Sequence, residues 1–172
     1  MITVQCTKKL ASELGVPLLI EKPKHSNPLY CWHAHLFSFS RRKCVLVMNN
    51  ETRYNFVMFG LVKVDFKRFD DLIVKQISDN LLADGMEQVL VDKYLLNCGD
   101  VSYTPTSDRS IIGQINEMIM VAQYEMEGNI DEYGDPKIDQ VNRFLNRFVI
   151  LKLPKLYSGE TMYDALQYID VE

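Results

Sequence analysis

The chain has 172 residues, of which 47% are hydrophobic and 24% are charged; this composition is typical of a globular protein whose core needs neither a disulfide nor a metal. The net charge of −4 argues against broad attraction to nucleic acid or to an anionic membrane. No apolar run approaches the roughly 18 residues that span a bilayer, and residues 1–10 carry no apolar secretion signal, so a cytoplasmic protein is predicted.

The first third of the chain is rich in β-forming residues separated by turn residues. Residues 2–6 predict a strand, and Thr7 can cap a short helix that stops at Gly15. The prolines and Asn27 within 16–29 predict a loop. Three further strands, joined by hairpin-length links, are predicted at 31–39, 43–49 and 54–59. Two of these strands are apolar on both faces, which is typical of strands covered on both sides.

After Gly60 the apolar residues fall at helical spacing. Helices are predicted at 66–81, 89–95, 107–127, 136–148 and 160–169. Two shorter runs, 101–104 and 148–153, predict strands. Residues 1–150 are therefore expected to form one α+β domain, with a mainly antiparallel sheet and four to six helices, and residues 151–172 a C-terminal extension packed on it.

The first candidate site lies in the strand predicted at 31–39. Cys31, His33 and His35 alternate along it, so their side chains project from one face. A thiolate and two imidazoles suit Zn²⁺, but no fourth ligand is evident and Phe37 and Phe39 continue the face as core residues. Packed or hydrogen-bonded histidines are favoured over a metal site, and no cofactor is predicted. His33 is the candidate catalytic residue, since an imidazole titrates near neutral pH.

Two basic regions could hold an anion. Arg41, Arg42 and Lys43 lie at a hairpin turn, where charge is usually only solvated, and strand alternation points Arg42 and Lys43 to opposite faces. The three charges therefore do not make one patch, although Arg42 alone could hold a phosphate or carboxylate.

The second region is TPTSDRSIIGQINEM, residues 104–118. Thr106 or Ser107 is predicted to cap the helix, whose first N–H groups attract anions. Arg109, Gly113 and Asn116 share one stripe, and an interior glycine, which costs about 1 kcal/mol relative to alanine, usually has a reason. Either Gly113 makes a ligand-binding notch, or it lets a strand approach closely while Arg109 pairs with an acid. The packing interpretation is slightly favoured.

Four stretches in this order resemble an uncharacterised bacterial domain family of unknown function: CTKKL at 6–10, WHAHLF at 32–37, RRKCVLVMNN at 41–50 and TSDRSIIGQIN at 106–116. The resemblance covers about residues 2–120. The family pattern usually has asparagine where this chain has His35 and Asp108. The resemblance implies a bacterial cytosolic protein linked to mobile elements or defence, and it brings no known activity.

Two functions are consistent with these features. The first is a non-enzymatic interaction or regulatory module that binds a partner protein or a small anionic ligand, since no recognised catalytic motif is present. The alternative is a toxin-like or defence-linked enzyme acting on a nucleotide or nucleic acid, with His33 as acid and base. The candidate ligand-binding residues are Trp32, His33, Arg42, Asn49, Thr106, Arg109, Ser110 and Asn116. No membrane partner is predicted.

Overall fold

The computed structural model describes residues 1–19 and 26–169, which form a five-stranded sheet with seven α-helices. The α+β class is confirmed. The strands are β1 (Ile2–Cys6), β2 (Cys31–Phe39), β3 (Arg42–Asn49), β4 (Asn55–Leu61) and β5 (Val101–Pro105). The helices are α1 (Lys8–Leu14), α2 (Lys63–Lys67), α3 (Phe69–Ala83), α4 (Gln88–Cys98), α5 (Arg109–Gly128), α6 (Ile138–Leu145) and α7 (Ser158–Gln167).

The described residues hold more helices than the four to six expected. The additional helix arises because Arg68, with φ −116° and ψ 29°, divides the predicted 66–81 helix into α2 and α3. The strand predicted at 148–153 is wrong, since only an isolated bridge between Val149 and Tyr157 forms there. Part of the loop predicted at 16–29 lies outside the described residues. Within the described part of the chain, no helix is long and apolar enough to cross a membrane.

The sheet is mixed, with strand order β4-β3-β2-β1-β5. β2, β3 and β4 pair antiparallel, as expected from their short links, whereas β1 pairs parallel with both β2 and β5. The sheet is therefore mixed rather than purely antiparallel: among the described strands, two pairs are antiparallel and two are parallel. The parallel pairs exist because long connections carrying helices separate β1 from β2 and β4 from β5, and such crossovers return a strand in the same direction.

Helices cover both faces of the sheet. One face, here the α1 face, packs against α1, α3, α4 and α7 and buries Trp32, Val47 and Phe56. The other face, here the α5 face, packs against α5 and α6 and buries Leu46 and Met48. Each fully buried side chain of this size contributes roughly 2–3 kcal/mol of apolar burial. The α1-face cluster includes Met162 and Leu166 of α7. The division of the chain into a domain of residues 1–150 and a C-terminal extension stays a prediction.

Two asparagines of α6 cover the outer edge of β4. Asn142 accepts a hydrogen bond from the Val57 N–H (2.8 Å) and donates one to the Val57 carbonyl (3.1 Å). Asn146 makes the same two-point contact with Asn55, at 2.9 and 2.7 Å. Each carboxamide thus replaces one residue of a neighbouring strand. Because an uncovered edge strand invites pairing with another chain, these contacts close that side of the sheet.

Candidate functional site

Cys31, His33 and His35 lie on one face of β2, the α5 face, as their alternation predicts. Cys31 and His33 are buried, and the Nδ1 atom of His33 lies 2.7 Å from the Oδ1 atom of Asn50. His35 is half-buried, and this burial, with a smaller effect of the Lys9 charge, lowers the pKa of its imidazole. The described residues contain no group of three or more His, Cys, Asp or Glu side chains that could hold a metal ion.

His33 belongs to a row of hydrogen-bonded polar side chains on the α5 face. The Nδ2 atom of Asn50 donates to the Oε1 atom of Gln5 (2.6 Å), and the Nε2 atom of Gln5 donates to the Oγ atom of Ser107 (2.9 Å). Gln5 is opposite His33 in the parallel ladder between β1 and β2. This row, His33–Asn50–Gln5–Ser107, therefore connects β2, the turn after β3, β1 and the segment before α5. We call it the polar row.

Two further side chains extend this polar region. Thr104 is opposite Gln5 in the β1–β5 ladder, and its hydroxyl is buried without a hydrogen-bond partner among the described residues. Arg53 donates to the Asn50 carbonyl and to Gln114 of α5. Burial lowers the pKa of the Arg53 guanidinium, and the negative charge of Asp108 partly opposes this shift.

Trp32 and Asn49 lie in structural positions, away from the polar row. Trp32 is on the α1 face, where its indole N–H donates to the hydroxyl of Tyr94 at 3.0 Å. Asn49 is fully buried: its Nδ2 donates to the Leu29 carbonyl (2.8 Å) and its Oδ1 accepts from the N–H and hydroxyl of Thr52. Both side chains are engaged in holding the turn after β3 and the core beneath it.

Arg42 lies at the far end of the β2–β3 hairpin. It is opposite Phe39, six residues from His33 on β2, which corresponds to about 20 Å along a strand. Its guanidinium lies 3.6 Å from Asp135 and 4.9 Å from the centroid of the Phe59 ring. Lys43 instead pairs with Glu13 at 2.6 Å. The prediction that the basic run makes no single patch is confirmed.

Asp108 caps α5, so the cap predicted at Thr106 or Ser107 is wrong. Its Oδ1 atom accepts from the N–H groups of Ser110 (2.8 Å) and Ile111 (3.2 Å). The Ser107 hydroxyl instead accepts a hydrogen bond from the Nε2 atom of Gln5. Gly113 is exposed, and a Cβ built there would have no heavy atom within 4 Å. The predicted close approach of a strand at Gly113 is therefore also wrong.

The structure thus brings only part of the predicted set together. Thr106, Arg109 and Ser110 adjoin Ser107 at the start of α5, next to the polar row that contains His33. Arg109 and Ser110 are exposed there, and Asn116 is exposed about two turns further along α5. Sequence reasoning missed Gln5, Asn50, Arg53 and Thr104, and it considered Ser107 only as a helix cap.

A signal for the missed residues was present in two strands. Thr3 and Gln5 alternate with apolar residues in β1, and Ser102 and Thr104 do the same in β5. Such alternation marks a strand with one polar face. What the sequence does not give is that β1 and β5 pair in register, which aligns the two polar faces side by side.

The carboxyl ends of β1 and β5 lie at a special point of the sheet because of where α1 and α5 pack. The two strands are adjacent and parallel, yet α1 packs on one face of the sheet and α5 on the other. In open sheets, ligands bind in the crevice formed where neighbouring parallel strands send their helices to opposite faces. Lys8 and Arg109, at the first positions of these two helices, are exposed at this point.

Fold and site define an α+β domain built on a mixed sheet, with a polar region at the crossover of its parallel strands. Residues 3–159 match the family described as Domain of unknown function (DUF6933), so the chain belongs to that family. The resemblance read from the sequence is confirmed, and the family extends beyond the predicted limit near residue 120 to the start of α7. Searches of curated proteins and of solved structures gave no match.

Proposed function

We propose that this protein is a non-enzymatic module that binds a small anionic ligand at the carboxyl ends of β1 and β5. The observation that carries the proposal is that α1 and α5 leave these two adjacent parallel strands toward opposite faces of the sheet. The connections diverge at such a point, so a small ligand can reach backbone and side chains of both strands.

The charges at this point favour an anion. Lys8, Lys9 and Arg109 are exposed around the strand ends, and none of them has an ion-pair partner among the described residues. The one acid there, Asp108, is occupied as the cap of α5, and its charge is partly balanced by Arg53. Lysine and arginine side chains bind phosphate or carboxylate through charge-assisted hydrogen bonds.

Uncharged groups at the same place can orient such a ligand. The hydroxyls of Thr106 and Ser110 lie at the start of α5, next to Ser107 of the polar row. The Thr104 hydroxyl belongs to the same strand end but is fully buried and has no hydrogen-bond partner among the described residues. The proposed ligand contacts are therefore the hydroxyls at the start of α5.

The environment of His33 favours binding over catalysis. A general acid or base must reach the proton that it transfers, whereas the His33 side chain is fully buried and its Nδ1 is hydrogen-bonded to Asn50. The enzymatic alternative also needs a cation to neutralise phosphate charge, which could be Arg42 or Arg109. Arg42 lies at the far end of the hairpin, whereas Arg109 lies at the start of α5. His33 is therefore a residue that positions Asn50 and Gln5 in this proposal.

Calorimetric titration with inorganic phosphate and with phenyl phosphate tests the proposal. The double variant Lys8→Gln/Arg109→Gln should weaken binding by about a hundredfold, because it removes two charged hydrogen bonds that contribute about 1.5 kcal/mol each. The matched control is Lys137→Gln/Lys152→Gln, which removes the same charge from two exposed lysines elsewhere and should leave binding within about twofold.

Equal weakening in both double variants would mean that only the net charge matters, and would contradict a local site. Absence of any binding at about 10 mM probe would remove the anionic ligand and leave a protein partner as the function to test.

A further inference from the structure

A separate cleft of about 660 Å³ lies between the end of α3, the end of α6 and the first turns of α7. This volume falls within the range of about 300–1,000 Å³ that is usual for small-molecule sites. Five acidic or basic side chains line it, namely Asp84, Arg147, Lys155, Glu160 and Asp164. None of them belongs to the anion site proposed above, so the two sites can be tested independently.

The floor of the cleft is held rigidly by close contact between α6 and α7. The Gly159 N–H donates to the Asn146 carbonyl at 3.1 Å, and the Ser158 hydroxyl donates to the Oδ1 atom of Asn146 at 2.9 Å. A Cβ at position 159 would lie 3.1 Å from that carbonyl oxygen, so a larger residue would push the two segments apart by a few tenths of an ångström. A site built on such fixed elements is preorganised, which lowers the entropic cost of binding.

One wall of the cleft is a carboxylate that the fold holds in place. The hydroxyl of Tyr54 donates to Asp84, and the Nε atom of Arg143 lies 2.9 Å from the Oδ1 atom of Asp84. Burial raises the pKa of Asp84, while the hydrogen bond from Tyr54 and the charges of Arg143 and, more weakly, Arg147 act in the opposite direction. Asp84 is therefore a fixed acidic group at the wall, already engaged by the protein.

The remaining charges leave one cation and one anion unpaired. Lys155 and Asp164 pair with each other at 3.4 Å. Arg147 and Glu160, by contrast, have no ion-pair partner within 4 Å among the described residues. A purely anionic ligand would meet Glu160 and Asp84 as like charges, and a purely cationic ligand would meet Arg147. The charge pattern matches a ligand that carries both signs.

We propose that this cleft binds a small zwitterion of the α-amino-acid class with an apolar side chain. The Arg147 guanidinium receives the carboxylate in a forked hydrogen bond, and the Glu160 carboxylate receives the ammonium group. Met86, Tyr157 and Tyr163, which line the same cleft, provide thioether and aromatic surface for the apolar side chain of the ligand.

Three probes, each with one phenyl group, test the carboxylate contact and the ammonium contact separately. L-phenylalanine carries both groups, 3-phenylpropionate lacks the amine, and 2-phenylethylamine lacks the carboxylate. In NMR titrations at pH 7, L-phenylalanine should bind at least about tenfold more tightly than either truncated probe, since each loses one charge-assisted hydrogen bond.

Two variants assign these contacts to residues. Arg147→Gln should weaken L-phenylalanine and 3-phenylpropionate by about tenfold while leaving 2-phenylethylamine unchanged. Glu160→Gln should weaken L-phenylalanine and 2-phenylethylamine and leave 3-phenylpropionate unchanged. Both side chains are exposed, so neither variant should lower the thermal unfolding midpoint. Arg41→Gln, which removes the same charge at an exposed hairpin turn outside both proposed sites, is the charge-matched control and should change none of the three affinities.

The opposite results would overturn the proposal. If 3-phenylpropionate binds as tightly as L-phenylalanine, the ammonium contact does not exist and the ligand is a simple anion. If both variants weaken all three probes equally, the effect is not a local contact. If neither L-phenylalanine nor L-leucine binds at about 10 mM, the amino-acid class is wrong for this cleft, whatever phosphate does at the β1–β5 site.

Discussion

The two halves of the sheet are built differently. In the antiparallel half, β3 and β4 are apolar on both faces, with Leu46 and Met48 under α5 and Val47 and Phe56 under α3 and α4. In the parallel half, β1 and β5 are apolar only on the α1 face. Their α5 face instead carries four polar side chains, Thr3, Gln5, Ser102 and Thr104.

This difference separates stability from recognition within one sheet. Every buried side chain of an apolar strand that is covered on both sides stabilises the fold. A buried polar side chain, by contrast, offsets the cost of its own burial only when its hydrogen bonds are made. The polar face of the parallel half is therefore a poor source of stability. It leads to the strand ends from which α1 and α5 leave toward opposite faces of the sheet, next to the anion site proposed above.

The largest loss of stability is expected at α6, the helix that covers the edge of the antiparallel half, because this helix carries one member of a buried ion pair. Arg143 of α6 has only 12% of its side chain exposed and pairs with Asp84, whose side chain is 9% exposed. Arg143→Ala should lower the free energy of unfolding by about 3 kcal/mol, because Asp84 is left buried without its cation. Chemical denaturation at pH 7 measures this loss.

The loss in Arg143→Ala should shrink toward pH 4. Burial raises the pKa of Asp84 and Arg143 lowers it, so removing Arg143 raises the pKa further. A group with a raised folded-state pKa is most favourable when protonated, and its contribution is lost as the pH rises through that pKa. Arg42→Ala, whose pair with Asp135 is half-exposed, is the control and should cost under about 1 kcal/mol. Equal costs for the two variants would contradict a buried pair.

A smaller loss is expected from the asparagines that cover β4. Asn142→Leu keeps the volume of the side chain but leaves the N–H and carbonyl of Val57 without partners. The free energy of unfolding should fall by about 2 kcal/mol. Asn116→Leu, on the exposed side of α5, makes the same chemical change in water and should alter stability by less than about 0.5 kcal/mol. A neutral Asn142→Leu would mean that β4 needs no covering.

Local signals in the sequence predicted most elements and some of their ends. Thr7 caps α1, and Gly15, with φ 64°, ends it, as expected from the preferences of these residues. The start of α5 was missed because Thr106, Ser107 and Asp108 are all able to cap a helix. In the structure Asp108 takes that position, and the Ser107 hydroxyl accepts a hydrogen bond from Gln5, a residue far away in the chain that local sequence signals cannot indicate.

The site was harder to predict than the fold for the same reason. The strand alternation correctly places Cys31, His33 and His35 on one face, but it cannot indicate that Gln5 and Asn50 reach His33. The cleft beside α7 was missed, although Asn142 and Asn146, and Arg143 and Arg147, fall at i, i+4 spacing within the helix predicted at 136–148. That spacing is ordinary on an exposed helix, and only the packing of α6 on the edge of β4 gives it a role.

The smallest effect, and the most direct comparison of the two halves, is expected from Gln5→Met in the polar row. Methionine has nearly the same length but removes the bonds to Asn50 (2.6 Å) and Ser107 (2.9 Å). The Asn50 amide then lacks an acceptor, so the free energy of unfolding should fall by about 1 kcal/mol despite the added apolar burial. Thr3→Val, on the same face, removes only a 3.4 Å contact with Ser102 and should be close to neutral.

If Gln5→Met instead raises stability, the parallel half behaves like the antiparallel half, and its polar face contributes no structural network. Loss of phosphate affinity in such a stabilised variant would then assign Gln5 to ligand binding alone.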